Sequence, residues 1–357
     1  MEMQHRPTLK TASSEYIDVA IEKVLVAPVD REVEVSLCRM DLCVTIKGVS
    51  FLLQTGLGIL GNLLVLLAYA HIVYCKRRLQ PVDMILFHLA FANMMVLLTR
   101  GVPQTMTVFQ LHNLLDDVGC KIVIYSYRIV RALSVCITCL LSVFQSLTIA
   151  PATSRWANLK TRLPKLILPS FGFLWLLNMA VCIAAPFFSV APRNGTVPKF
   201  TLNLGFCHVN FQDQLSYVIN GVAITGRDFI FVGLMVLASG YILLVLHRHS
   251  KQMKGFRSSD RHQSSTLESR AAKTVITLVI LYVVFFGIDN IIWIYMLTVS
   301  SVPPVISDMR VFFSSCYASL SPFFIISSNK KIKRRISCAS EEPKQQSPAS
   351  EVSHVKL

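Results

Sequence analysis

The sequence predicts an all-α membrane protein, a bundle of seven transmembrane helices. Three observations carry this: an apolar composition, seven apolar stretches of membrane-spanning length, and charges gathered into the short segments between them. Of 357 residues, 53% are hydrophobic and only 15% charged, whereas a soluble domain carries roughly a quarter charged residues. A lipid bilayer is the solvent such a chain fits.

A helix needs about 20 mainly apolar residues to cross the hydrocarbon core. Seven stretches qualify: Cys43–Tyr74, Val82–Phe109, Cys120–Thr148, Pro164–Val190, Tyr217–His247, Ala272–Thr298 and Met309–Ser328. The second and seventh are the least uniformly apolar, and their polar residues are expected to face protein rather than lipid.

Direction follows from the loops. Fourteen basic residues follow the first, third and fifth spans, among them Lys76, Arg77, Arg155, Lys160, Lys251 and Arg257. The alternating loops offer Arg193 and Lys199. The basic side is therefore expected to be cytoplasmic, with residues 1–42 extracellular, 43–328 the membrane domain and 329–357 a cytoplasmic tail. Residues Met1–Leu42 show no apolar core with a small-residue cleavage site, so the first span is expected to act as its own insertion signal. The tail from Ile336, rich in Ser, Glu, Gln and Pro, reads as disordered. The net charge of +15 sits where it sets topology and meets anionic membrane lipids, which argues against nucleic acid as a partner.

Several of the ten cysteines lie inside spans, so they do not form a secreted disulfide framework. Cys120 starts the third span and Cys207 lies in the long outer loop, where an oxidising compartment permits a disulfide. Cys38 and Cys43 could also pair. Cys136 and Cys139 form a C-x-x-C deep in an apolar helix, read as packing rather than redox chemistry. Asn194-Gly195-Thr196 is a glycosylation sequon in a loop independently assigned outside.

Dispersed motifs then become specific. Gly61-Asn62 opens the series, followed by His88-Leu89-Ala90-Phe91-Ala92-Asn93 and Gly101-Val102-Pro103-Gln104-Thr105-Met106. Gly119-Cys120-Lys121, Cys139 to Gln145, Ser154-Arg155-Trp156, Arg227-Asp228-Phe229 and Ser321-Pro322-Phe323 continue it. Over residues 44–335 the chain resembles the type 1 vomeronasal receptors, a group of G-protein-coupled receptors for chemical cues. It departs from that pattern at Tyr127-Arg128, where the family usually has His-Arg, at Cys316-Tyr317-Ala318-Ser319-Leu320, and in its long N-terminal segment. The resemblance implies a rhodopsin-like receptor that binds a small pheromone-like cue and activates an inhibitory-type G protein, with no cofactor.

Charges inside a bilayer are costly and face the bundle interior or a cavity. Arg128 lies about 12 Å below Cys120 at 1.5 Å per residue, and Arg131 shares its face one turn on. With Tyr127, Arg227, Asp228 and Asp289 they are the candidate ligand-site residues. Two readings stay open: Arg128 or Arg131 bridges to Asp228 or Asp289, or one Arg is left for an anionic group on a ligand. Deeper in the membrane, Asn62, Asn93 and Pro322 match positions that form an activation network in rhodopsin-like receptors; as plain chemistry, amides hydrogen-bond across helices. Phe144-Gln145-Ser146 stands where the common Asp-Arg-Tyr motif would be. The inner loop Lys251–Lys273 and the run Lys330 to Arg335 are candidate G-protein or lipid contacts, and Ser337 and Cys338 candidate modification sites.

Alternatives belong to other classes. A transporter or channel is disfavoured by the lack of an internal repeat, and the bitter-taste receptors by the Pro103-Gln104-Thr105 and Ser154-Arg155-Trp156 matches. An accessory or co-receptor without its own ligand is a further reading. No hydrolase, zinc-peptidase or phosphate-loop motif suggests an enzyme. His88, His112 and His208 lack metal-ligand spacing.

Overall fold

The computed structural model describes residues 44–75, 79–111, 114–150, 157–192, 201–211, 213–253, 262–298, 304–329 and 332–333. The chain divides into two units, 1–52 and 53–357. Of the first, the described residues are the opening turns of α1 (Val44–Cys75), which runs on into the second. There follow α2 (Pro81–Val96), a π-helical turn (Leu97–Gly101), α3 (Val102–Val108), α4 (Asp117–Ile149), α5 (Ala157–Val181) and α6 (Ala185–Phe188). Three short strands, β1 (Ser189–Val190), β2 (Thr201–Asn203) and β3 (His208–Asn210), lead to α7 (Gln214–Met253), α8 (His262–Thr298) and α9 (Pro304–Ser328).

Among the described residues, seven helical stretches are long and apolar enough to span a membrane, the second formed by α2, the π turn and α3 together. The third span, α4, is the hub: 72% of its apolar window is buried, against 22% for α7 and 28% for α8. Its N-terminus is fixed by Asp116, whose carboxylate accepts the Gly119 amide at 2.7 Å. Gln80 precedes α2 with Pro81 at the first helical position, where a missing N–H costs nothing. Asp213 plays the capping part for α7; hydrogen bonds from the Ser216 hydroxyl and amide hold its carboxyl below the usual range.

The fourth span runs to Phe188, as a broken helix rather than a continuous one. Residues through Val190 are apolar, yet α5 stops at Val181, and Ser189–Val190 is a strand. Pro186 explains the break, because a helix running through it would lose a hydrogen bond and meet the ring. In the other direction, α7 and α8 extend past their apolar windows, to Met253 and from His262.

The strands form an antiparallel sheet of order β1-β3-β2, with Ser189 opposite Val209 and Leu202 opposite Val209 on its other side. The turn between β2 and β3 needs Gly205, whose φ of 83° lies in the left-handed region. A Cys120–Cys207 disulfide, with Cα atoms 5.8 Å apart, ties this sheet to the start of α4. The Ala191 amide adds a 2.8 Å bond to the Asp117 carboxylate.

Candidate ligand cavity and the polar core beneath it

One turn apart on α4, Arg128 and Arg131 reach different partners. Arg131 donates to Asp228 of α7 at 3.2 Å and to Asp289 of α8 at 3.1 Å. The remaining Asp289 oxygen accepts Arg310 Nε of α9 at 3.2 Å, and the Arg310 guanidinium lies 4.3 Å from the Trp293 ring centre. The second Asp228 oxygen accepts Nε and Nη2 of its neighbour Arg227 at 3.0 and 2.9 Å. Three arginines and two aspartates thus join α4, α7, α8 and α9. Arg128 stands apart from them and donates to the Asn220 side-chain oxygen at 2.9 Å.

Arg100 completes the set from the π turn. It is 6% exposed, with its guanidinium 5.5 Å from the Tyr127 ring centre and 5.4 Å from that of Phe206. Its Nε has no hydrogen-bond partner. The π turn has a local cause: Pro103 cannot donate to the carbonyl one turn back and its ring crowds that position, so the helix widens before it.

Around these groups lies a cavity of about 580 Å³. Five arginines and two aspartates line it, three more positive charges than negative. The sequence candidates Arg128, Arg131 and Arg227 account for only part of this excess; they leave out Arg100 and Arg310. A single Arg inside an apolar span was the available signal for both. Leu202 and Asn203 of β2, with Leu204 and Phe211, form the wall at the hairpin end. Outside the spans, burial lowers the pKa of His208 in β3.

Beneath Arg131 and Asp289 a second cavity of about 30 Å³ leads to Ser134, Tyr282 and Tyr317. There the Ser134 hydroxyl donates to Asn93 Oδ1 at 2.6 Å, and Asn93 Nδ2 donates to the Ser321 hydroxyl at 2.8 Å. Asn62 donates to the carbonyls of Gly58 and Ala318 at 2.8 and 2.9 Å. The Thr138 and Tyr317 hydroxyls meet at 2.7 Å. Pro322 packs on Gly61, where an added Cβ would come 2.9 Å from the proline ring. Asn62, Asn93 and Pro322 therefore lie in one layer joining α1, α2, α4 and α9.

Other candidates find quieter places. Cys136 and Cys139 are buried in α4, Cys136 accepting from Asn178 at 3.6 Å. His88 accepts Trp175 Nε1 at 2.9 Å and stacks on Phe171. No metal-binding group of three His, Cys, Asp or Glu exists among the described residues. Asn194, His112, Ser337 and Cys338, and Cys38 and Cys43, lie outside the described residues, as do the basic residues 76–78, 254–261, 330–331 and 334–335.

Comparison with known proteins agrees with this architecture. The vomeronasal organ pheromone receptor family matches residues 45–338. Olfactory receptor class A-like protein 1 of Danio rerio is 70% identical over 308 residues, covering 86% of this chain and 96% of its own. Vomeronasal type-1 receptor 1 of Homo sapiens is 34% identical over 288 residues, 81% of each chain. Squid rhodopsin superposes with a TM-score of 0.66 at 17% identity, covering 84% of this chain and 86% of that one, which speaks to the fold alone. A seven-span bundle of the rhodopsin type, matched by the family signature from the first span through the last, places this chain in the vomeronasal organ pheromone receptor family.

Proposed function

We propose that this receptor binds a small chemical cue bearing an anionic group in the cavity among α4, α7, α8 and α9, and passes the signal to an inhibitory-type heterotrimeric G protein. One observation carries the reading: Arg100 and Arg128 face the cavity, and among the described residues neither has a carboxylate partner. Buried charges are normally paired, and a carboxylate or sulfate supplies the pair with short, charge-assisted bonds. Tyr127, Arg128, Arg131, Arg227, Asp228 and Asp289 form the ligand site, joined by Arg100 and Arg310. The relatives' names, olfactory and vomeronasal, agree with a chemical cue.

In this reading the hairpin end, with Asn194 as its glycan site, is extracellular and the basic segments at the opposite end meet the G protein and lipid headgroups. The N-terminus is then outside and the C-terminus inside. Asn62, Asn93 and Pro322 lie between the two ends as the element whose hydrogen bonds differ between inactive and active states.

The test is expression in cells carrying an inhibitory-type G protein, with a panel of carboxylates, sulfates and amines. The expected result is a response to acids that pertussis toxin abolishes and that Arg128→Ala and Arg131→Ala each weaken at equal surface expression. Silence to every compound despite surface delivery points to an accessory role. Ligand-gated currents without G protein contradict the receptor reading.

A further inference from the structure

The cavity wall is unusual on the α7 side. Asn220 and Arg227, seven residues apart, share the face turned to α4, where Asn220 meets Arg128. Val218, Val222, Thr225 and Phe229 recur at spacings of four, three and four residues and so occupy the opposite stripe of the same helix. Both stripes line the cavity. Val222 is nevertheless 66% exposed and Phe229 54% exposed. Exposure of this size on the stripe turned away from α4 places both side chains at the edge of the cavity rather than in its packed wall.

The rim of that opening can be traced. Gly221 lies between the two stripes, and a Cβ added there would meet nothing within 4 Å. Across from it, Phe286, Asn290 and Trp293 of α8 recur at four and three residues and line the same cavity. At the lower edge the Phe229 and Phe286 rings meet edge to face with centroids 5.3 Å apart. At the hairpin end the cavity is bounded by β2 and Phe211, and the disulfide holds that sheet to α4. Gly221 and Trp293 fall within the apolar, membrane-length stretches of α7 and α8, so a gap between them is expected to face lipid.

We propose that the cavity opens sideways into the bilayer between α7 and α8, and that it takes an anionic amphiphile whose head group pairs with Arg100 and Arg128 while its apolar tail leaves through the window beside Gly221. The proposal rests on the anion reading above and adds the ligand's second half and its route. A water-soluble anion needs the guanidinium groups alone. An amphiphile also uses Val218, Val222 and Phe229, whose apolar surface at the rim serves a lipid-like chain and repels a hydrated one. Partition into the bilayer concentrates such a ligand beside its own entrance.

The experiment uses the full-length receptor in lipid nanodiscs and a palmitate carrying a diazirine in its chain, with photolabelled peptides mapped by mass spectrometry. Labelling is expected on residues 218–229 and 286–296, saturable and competed by unlabelled palmitate, and weak with the corresponding diazirine-bearing hexadecylamine. Gly221→Leu fills the window and the double variant Arg100→Gln/Arg128→Gln removes the head-group site; each is expected to weaken labelling by about tenfold or more, the scale of one lost charge-assisted bond or a blocked apolar contact. Val222→Trp repeats the blocking test from a neighbouring position, and a thermal melt of each variant checks its fold. If both blocking variants, folded, label like wild type while the arginine variant does not, the sideways opening is wrong and the anion site stands. If labelling is unsaturable, the amphiphile is wrong and the anion reading is left to its own test with small acids; if the arginine variant labels like wild type, Arg100 and Arg128 do not hold the head group and the proposal is overturned.

Discussion

Arg131 of α4 and Asp289 of α8 meet at 3.1 Å, and the same two residues floor the large cavity and roof the small one beneath it. This ion pair is the point where the large cavity touches the hydrogen-bonded layer of Ser134, Asn93 and Ser321. It is mostly buried, with side-chain exposures of 23% and 7%, so its loss strands charge rather than merely removing a contact.

Arg131→Ala is accordingly expected to destabilise the receptor by about 3 kcal/mol or more, because two carboxylates lose a shared partner. Asp289→Asn should cost less, since the amide oxygen still accepts from Arg131 or Arg310. A double-mutant cycle read by thermal melts in detergent checks this, with a coupling of about 1–3 kcal/mol expected between the two sites. Additive losses would mean that the contact contributes little.

Cys120→Ser and Cys207→Ser should have the same effect on surface delivery, and the double variant should be no worse than either. The bond closes a separation of 87 residues, for which chain entropy gives a stabilisation of about 4–5 kcal/mol. Flow cytometry of surface receptor decides, and a double variant clearly worse than both singles would show that the cysteines act separately.

In the layer below, Asn93 accepts from Ser134 and donates to Ser321. Asn93→Leu removes both bonds, each worth about 1 kcal/mol in a membrane interior, and should change basal or stimulated nucleotide exchange while leaving binding in the outer cavity intact. Asn93→Asp keeps the acceptor for Ser134 and replaces the donor by a second acceptor to which the Ser321 hydroxyl can turn and donate, so it should stay nearer wild type. Equal exchange in all three proteins would remove this layer from signalling.

Gly58 is needed for close approach of α1. An added Cβ would come within 2.6 Å of Leu97 Cδ1 and 2.9 Å of the Ser319 Cα. Backbone cannot yield as a side-chain tip does, so Gly58→Ala should cost about 1–3 kcal/mol in a thermal melt. Gly56 has nothing within 4 Å of its added Cβ, and Gly56→Ala serves as the neutral control.

Much of the fold was legible in the sequence because the bilayer imposes one rule, roughly twenty apolar residues per crossing. All seven spans follow it, and Cys120 and Cys207 pair as expected. What hydropathy hides is where a helix breaks inside an apolar run: α5 ends at Val181, and Pro186 begins the separate turn α6 that carries the span on to Phe188. The site was legible in part. Spacing on α4 placed Arg128 and Arg131 on one face, but it carries nothing about how α7, α8 and α9 turn toward that face. The sequence therefore left open which arginine bridges, and the structure assigns Arg131 to the aspartates and Arg128 to Asn220. A lone Arg in an apolar span marks Arg100 as a candidate, but a π turn has no sequence period of its own; it shifts the residue relative to the regular helix and brings it beside Tyr127.

The central claim is that arginines without a carboxylate partner in the cavity recognise an anion. The most direct measurement is a dose–response of the wild-type receptor, in cells with an inhibitory-type G protein, to an active acid and its uncharged amide, repeated with Arg100→Gln and Arg128→Gln. The account predicts that the acid is at least about tenfold more potent than the amide on wild type, the worth of a charge-assisted bond, and that the gap closes in the variants. An amide as potent as its acid, or an undiminished gap in both variants, contradicts it.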